Sequence, residues 1–298
     1  MNKRRLVLAV ILLLLGAGIF FIVDIWNEKD QVTIDNPSLQ QESEEETHTT
    51  EDEDTEEQKI EEDTDNSPLT TQFKDVITEA VQGTIDFFTN KETRVVAIGD
   101  SLTQGVGDET GEGGYIGILD NTINKNKQLV RFDNFGKRGN RSDQLLKRIE
   151  DPEISTSIAE ADIVLLTVGA NDIMKVVKEN FTNLSFQDFV QERIAYEERL
   201  EEIISTVESI NGNADVYLLG FYNPFEQYFD DIEELGIIVE DWNRTGEAVA
   251  SNHENLTFIP TVDLFTNTDE NVFAEDKFHP NYNGYQRIAK RVLEYVTQ

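Results

Sequence analysis

Five short apolar runs alternate with helical segments from Arg94 to the end of the chain, and this alternation constrains the fold more than any other feature. Continuous apolar runs of this length are typical of strands buried on both faces of a parallel sheet. The predicted strands are Val95–Ile98, Leu129–Phe132, Ile163–Val168, Val216–Leu219 and Leu256–Ile259. The predicted helical segments lie near 114–125, 142–150, 186–210, 233–251 and 281–296. This order predicts an α/β fold in which helices cover both faces of a parallel sheet of about five strands.

The N-terminal residues 1–26 have the composition of a membrane anchor. Three basic residues, Lys3 to Arg5, precede an uncharged apolar run from Leu6 to Val23. As a helix of 18 residues this run would span about 27 Å, close to the thickness of a bilayer core. The basic flank places the N-terminus in the cytoplasm and the rest of the chain outside the cell. A cleaved signal peptide is the alternative, although no A-x-A-like cleavage site follows and Trp26 suits a membrane interface.

Residues 27–69 are polar and acidic, and they are expected to form a disordered linker. Residues 42–65 alone contain 14 Asp or Glu and one Lys, and the whole chain has a formal net charge of −34. Such a charge argues against nucleic acid as a partner, because phosphate binding needs clustered Lys and Arg. The predicted folded domain is 70–298, and apolar residues at helical spacing predict an N-terminal helix over 70–90. The oligomeric state is left open by the sequence.

The first predicted strand leads into Gly99-Asp100-Ser101-Leu102-Thr103, and Gly105 and Gly107 follow. A serine directly after a buried strand lies at the carboxyl edge of the sheet, where ligands bind in open α/β sheets. Glycines there allow the backbone to turn sharply and to approach a ligand closely. A glycine-rich loop could also hold a phosphate, but neither G-x-G-x-x-G nor the P-loop pattern is present. Ser101 is therefore the candidate nucleophile.

Two further loops are predicted to reach the same edge. The second strand leads into Asn134-Phe135-Gly136-Lys137-Arg138-Gly139, where the N–H of Gly136 is a candidate donor. The third strand ends in Gly169-Ala170-Asn171-Asp172, where Asn171 offers a side-chain amide and Asp172 suits a helix cap. Taken alone, residues 134–139 could form an ordinary strand-to-helix turn, and Asn171-Asp172 could be a helix cap.

His279 is the candidate base, and it lies in Asp276-Lys277-Phe278-His279-Pro280 before the last predicted helix. The chain has 3 histidines: His48 lies in the acidic linker that is expected to be disordered, His253 lies in a polar stretch at a helix end, and His279 has Asp276 three residues earlier. Residues three apart face each other in a helical turn, so Asp276 can bind one imidazole nitrogen and leave the other free. A metal site is the weaker alternative, because one His and one Asp are too few ligands. The chain has no cysteine, which excludes thiolate metal sites, disulfides and a cysteine nucleophile.

Together these segments meet the chemical requirements of acyl transfer. A serine hydroxyl needs a base to accept its proton, and the base needs an orienting carboxylate. The tetrahedral intermediate needs donors directed at its oxyanion. The candidate donors are the N–H groups of Ser101 and Gly136 and the amide of Asn171. We expect Asp100 and Asp172 to brace their turns and Asn134 to position the Gly136 loop.

The four segments, in this order, resemble the SGNH or GDSL-type hydrolases, a lipase and esterase superfamily. The letters S, G, N and H in the superfamily name denote Ser, Gly, Asn and His residues, which correspond here to Ser101, Gly136, Asn171 and His279. The segment 220–225 and Trp242-Asn243 also resemble a membrane-anchored subgroup of lipase-like or acylhydrolase-like proteins in Gram-positive bacteria. The resemblance implies a flavodoxin-like three-layer α/β/α sandwich with no metal and no organic cofactor.

The resemblance leaves the substrate open, since members of the superfamily cleave lysophospholipids, thioesters, sugar O-acetyl groups and simple esters. An ester of a small molecule, lipid or glycan is therefore the expected substrate of a cell-surface hydrolase. An O-acyltransferase that modifies cell-wall polysaccharide with the same residues is the alternative. The apolar stretch from Ile173 to Phe189 is expected to form either a lid over acyl chains or a buried helical turn followed by a loop.

Overall fold

A computed structural model describes residues 87–89, 92–180, 182–224, 233–266, 268 and 270–298. The predicted anchor at 1–26, the linker at 27–69 and most of the predicted helix at 70–90 lie outside the described residues. Residues 87–89 do form a helical turn, and Phe88 is buried. Among the helices of the described part, none has the length and apolar character needed to cross a membrane.

The core of the fold is a five-stranded sheet with the order β2-β1-β3-β4-β5, in which every neighbouring pair is parallel. The strands are β1 (Thr93–Gly99), β2 (Val130–Gly136), β3 (Ile163–Thr167), β4 (Asp215–Leu219) and β5 (Leu256–Ile259). All five predicted strands are thereby confirmed. The second strand is the least accurate, because it continues four residues beyond the predicted end through Asp133 and Asn134.

Eight helices lie between or after the strands of the described chain. They are α1 (Ser101–Gln104), α2 (Gly114–Ile123), α3 (Ser142–Ile149), α4 (Pro152–Ala159), α5 (Ala170–Glu179), α6 (Phe186–Ile210), α7 (Glu233–Ala250) and α8 (Tyr282–Val296). A short 3-10 helix covers Val262–Leu264. The five predicted helices correspond to α2, α3, α6, α7 and α8. The stretch from Ile173 to Phe189 is more than a single buried turn followed by a loop, because it contains most of α5, which ends at Glu179, and the start of α6 at Phe186. The lid alternative stays a prediction.

The sheet separates two apolar cores, as expected for a three-layer α/β/α sandwich. In β1, Val95 and Ala97 face the core that α2 and α8 cover, whereas Val96 and Ile98 face the other core. The opposite layer is formed by α3, α4, α6 and α7, whose buried residues belong to the second core. Alternate side chains of a strand point to opposite faces, so a strand that is apolar throughout is stable only when both faces are covered.

Candidate active site

Ser101 is held at the carboxyl end of β1 as the first residue of the short helix α1. Asp100 caps this helix, and its carboxylate accepts a hydrogen bond from the N–H of Leu102 at 2.9 Å. Gly105 ends the helix with φ +84, and its N–H donates to the carbonyls of Ser101 and Leu102. This left-handed conformation is accessible to glycine without the steric cost that a Cβ would bring. Ser101 is only 8% exposed, and the surface it keeps borders a pocket.

The structure brings Ser101, His279 and Asp276 into one chain of hydrogen bonds. Nε2 of His279 lies 2.9 Å from Oγ of Ser101, and Nδ1 of His279 lies 2.6 Å from Oδ2 of Asp276. An ionised carboxylate can only accept, so Nδ1 donates its proton to Asp276. Nε2 is then left to accept a proton from the serine hydroxyl, which is the arrangement that activates serine as a nucleophile.

The Asp276 carboxylate is fixed by the turn in which it lies. Its Oδ1 accepts from the N–H of Phe278 at 3.0 Å and from the N–H of His279 at 2.9 Å. Partial burial alone would raise the pKa of Asp276, but the hydrogen bonds and the charge of His279 and the two backbone donors hold it below its usual value. Asp276 therefore remains ionised at neutral pH and can orient and stabilise a protonated His279.

Asp100 connects the turn that carries Ser101 to the end of β3. It is 4% exposed and accepts a hydrogen bond from the hydroxyl of Thr167 at the end of β3, at 3.1 Å. Burial raises the pKa of Asp100 to about 6, although the hydrogen bonds from Leu102 and Thr167 oppose the shift. These contacts lie between β1, α1 and β3, which agrees with the bracing role expected for Asp100.

Gly136 does not present a free donor, and this overturns the expectation for its N–H. As the last residue of β2, Gly136 donates this hydrogen to Oδ1 of Asn134 at 2.8 Å. Asn134 in turn donates from Nδ2 to the carbonyl of Thr103 at 2.9 Å. A Cβ on Gly136 would lie 2.2 Å from the backbone nitrogen of Gln104. Gly136 is thus needed for close packing of β2 against α1.

Gly139, three residues further on, has the features that were expected of Gly136. Its φ is +76, and a Cβ there would meet no atom within 4 Å. Within the described chain, its N–H donates to no hydrogen-bond acceptor. The amide of Asn171 donates to the carbonyl of the adjacent Asn140 at 3.1 Å, so the turn and Asn171 are in direct contact. The sequence signal for this turn was the polar run before Gly139-Asn140, which is typical of a loop.

Asp172 anchors the start of α5 to the start of α3. It is fully buried and accepts hydrogen bonds from the N–H of Ser142 at 3.0 Å and from the Ser142 hydroxyl at 2.6 Å. Arg199 of α6 donates to both Asp172 and Ser142, at 3.1 and 2.6 Å. Burial raises the pKa of Asp172, an effect that the Ser142 hydrogen bonds and the Arg199 charge oppose. The contacts agree with a bracing role.

An apolar pocket opens beside Ser101 and His279 between β3, β4, α5 and α7. Its empty volume, which includes space open to solvent, is about 670 Å³. The walls include Ile173, Met174, Leu219, Phe221, Val239 and Phe278. In the part of the chain that the structure describes, no group of three or more His, Asp or Glu side chains is arranged to hold a metal ion.

The folded domain is similar to several known proteins. Residues 97–287 match the model of the GDSL-like Lipase/Acylhydrolase family. The chain is 36% identical over 212 residues to the uncharacterized protein YpmR of Bacillus subtilis, covering 70% of this chain and 83% of that protein. It is 24% identical over 204 residues to the spore germination lipase LipC of Bacillus licheniformis, covering 66% and 92% of the two chains. The crystal structure of the lipase Lip_vut3 from a goat rumen metagenome superposes with a TM-score of 0.59 at 22% identity, covering 67% of this chain and 95% of that chain.

Proposed function

Because this chain belongs to the GDSL-like lipase/acylhydrolase family and is therefore a carboxylic ester hydrolase, we propose that it works through Ser101, His279 and Asp276 by way of an acyl-enzyme. The observation that supports this mechanism most directly is the unbroken chain of hydrogen bonds from Oγ of Ser101 through His279 to Asp276. No other histidine of the described chain is near this edge, since His253 is bound between Glu201 and Glu208.

In the first half of the reaction, Nε2 of His279 takes the hydroxyl proton while Oγ of Ser101 forms a bond to the ester carbonyl carbon. The negative charge moves to the carbonyl oxygen, which accepts hydrogen bonds from the N–H of Ser101, the amide of Asn171 and the N–H of Gly139. The intermediate collapses as the bond to the leaving alcohol breaks, and the alcohol takes its proton from His279. In the second half, His279 removes a proton from water, the resulting hydroxide attacks the acyl-enzyme, and the acid leaves as Ser101 regains its proton.

We place the domain outside the cell, tethered by the segment 1–26 and the acidic linker 27–69. The support is the apolar run Leu6–Val23 with its basic flank. Addition of protease to intact cells tests this location. The proposal expects cleavage of the domain without cell lysis, and complete protection would contradict it.

Replacement of the nucleophile tests the reaction. Ser101→Ala should lower kcat for p-nitrophenyl esters at least about 1000-fold, because no other group can form the acyl-enzyme. The variant should also lose covalent labelling by a fluorophosphonate probe, whereas Ser251→Ala, at an exposed serine after α7, should keep both. Wild-type activity in a folded Ser101→Ala protein would disprove the assignment.

A second experiment separates the hydrolase from the alternative O-acyltransferase. It compares the amount of free acid released with the amount of acyl group transferred to added polysaccharide.

A further inference from the structure

The pocket beside Ser101 is bounded by apolar side chains from four separate elements. The apolar lining includes Ile173 and Met174 of α5, Val239 of α7, and Phe221 and Phe278. Leu219 and Val239 are only 2% and 6% exposed. The pocket therefore ends against the packed core, at the point where β4 meets α7.

The polar groups that border the pocket are already paired within the protein. The hydroxyl of Tyr222 donates to the carbonyl of Phe278 at 3.0 Å. The carboxylate of Asp100 accepts from Leu102 and Thr167. Among the described residues, the lining contains no Lys or Arg. A sugar hydroxyl or a phosphate placed in this pocket would lose its hydration and gain no partner, which is unfavourable.

The walls are also held in place rather than left loose. Asn243 of α7 binds Phe221 through two hydrogen bonds, since its Oδ1 accepts from the Phe221 N–H at 2.7 Å and its Nδ2 donates to the Phe221 carbonyl at 2.9 Å. Phe221 packs edge-on against the ring of Trp242. A preformed apolar pocket binds an apolar group with little ordering cost.

From these observations we infer that the pocket holds the acyl chain of the substrate and that the enzyme prefers esters of medium-chain fatty acids to acetyl esters. This inference rests on the proposed function, because the pocket is an acyl site only if Ser101 is the nucleophile. An acetyl group would leave the pocket empty. A medium-length chain would bury its methylenes against the apolar lining, and a much longer chain would meet the buried side chains of Leu219 and Val239.

The test is a chain-length series of p-nitrophenyl esters, from acetate to palmitate, with the full-length protein. Each buried methylene should raise kcat/KM about fourfold until the pocket is filled. We expect octanoate to exceed acetate by at least about 100-fold and palmitate to fall below octanoate. Equal or better hydrolysis of acetate by an enzyme that a fluorophosphonate labels would overturn the inference and leave the proposed function intact. Absence of both labelling and hydrolysis would overturn the proposed function itself.

Two variants on α7 test the role of Val239. Val239→Ala should deepen the pocket and move the optimum to chains about two carbons longer. Val249→Ala removes the same two methyl groups from a buried position of the same helix outside the pocket, and it should leave the optimum where it is. An optimum that both variants move equally, or that neither moves, would overturn the role of Val239. Met174→Trp, at a half-buried wall position, provides the opposite change and should lower kcat/KM for octanoate relative to acetate at least tenfold.

Discussion

At the scale of single residues, the tightest constraint on the site is the turn between Asp276 and His279. Lys277 has φ +58, the only positive φ of a non-glycine residue in the described chain. This left-handed conformation costs roughly 1–2 kcal/mol. The cost is offset by the three hydrogen bonds that the Asp276 carboxylate accepts from Phe278 and His279. The backbone is therefore strained where it fixes the orientation of the imidazole ring.

Gly136 ends β2 and Gly139 lies in the turn that follows, and alanine substitutions should distinguish their roles. Gly136→Ala should lower the free energy of unfolding by about 3 kcal/mol, because its Cβ would lie 2.2 Å from a backbone atom of α1. Gly139→Ala should cost only about 1 kcal/mol, the price of a Cβ at a positive φ with open space around it. Urea denaturation of both variants measures the difference. Equal losses of stability would show that β2 does not pack against α1 as described.

The prediction that Gly136 offers a free donor is wrong for a physical reason. Apolar runs predict only the part of a strand that is buried, and β2 is an edge strand whose last four residues include Asp133 and Asn134. Asp133 stays in the sheet because Arg94 and Ser157 bind its carboxylate. These partners are distant in sequence, so local composition could not reveal them. By contrast, the pairing of Asp276 with His279 depends on a spacing of three residues and was predictable.

At the scale of elements, the starts of α3 and α5 are joined to the middle of α6 through one cluster around the buried Asp172. Arg199 of α6 contacts Ser142, Asp172 and Glu192 within 3.1 Å. Asp172 follows Asn171 directly, and Ser142 follows the turn that contains Gly139. The cluster thus sets the relative position of two of the three oxyanion donors that we propose, although none of its members faces the reacting atoms. We regard Arg199 as a positioning residue.

Arg199→Met should lower both stability and turnover. Loss of the charge-assisted hydrogen bonds to the buried Asp172 should cost about 2–3 kcal/mol of unfolding free energy. A shift of Asn171 relative to the Gly139 turn should lower kcat roughly tenfold with little change in KM, because small misplacements affect the transition state most. Arg193→Met, on the same helix, loses a hydrogen bond to Thr245 and is the matched control. Its kcat should be unchanged, and an equal loss of kcat in both variants would assign Arg199 a purely structural role.

Of the three helices absent from the sequence prediction, α1 is a single turn of four residues, and the absence of α4 and α5 also has an explanation. Asp151 and Pro152 start α4, which is only eight residues long and amphipathic over barely two turns. Gly169-Ala170-Asn171-Asp172 indicated a capped turn, but the helix continues to Glu179 because Val176 and Val177 are buried in the core. Short helices are stabilised mainly by such tertiary packing, which a local pattern cannot show.

At the scale of the whole molecule, a formal net charge of −34 makes electrostatic self-repulsion a property of the entire chain. Clusters that bring carboxylates together therefore depend on a cation between them. His253 follows the end of α7 and lies between two carboxylates of α6. Its Nδ1 lies 2.9 Å from Glu208 and its Nε2 lies 2.8 Å from Glu201. The imidazole ring of His253 thereby links the segment that follows α7 to α6, and α6 and α7 are the two longest helices of the described chain.

This linkage predicts a pH-dependent stability. Burial alone would lower the pKa of His253, but the hydrogen bonds and charges of Glu201 and Glu208 raise it above its unfolded value of about 6.5. A group whose pKa is raised by folding stabilises the folded state fully below its unfolded pKa, and this contribution is lost as the pH rises through the folded pKa. The stability difference between wild type and His253→Gln should therefore be largest near pH 5.5 and should shrink toward pH 9.

Urea denaturation of both proteins at pH 5.5, 7 and 9 measures this difference, and the subtraction cancels groups that both proteins share, including Asp100. The experiment stops at pH 5.5 because Glu201 and Glu208 must stay ionised. The hydrogen bond from His253 helps here, since it lowers the pKa of Glu201. The double variant Glu201→Gln, Glu208→Gln should remove the pH dependence of the His253 substitution. A difference that is constant from pH 5.5 to 9 would mean that folding does not shift the pKa of His253 and that its charge contributes nothing to joining the two helices.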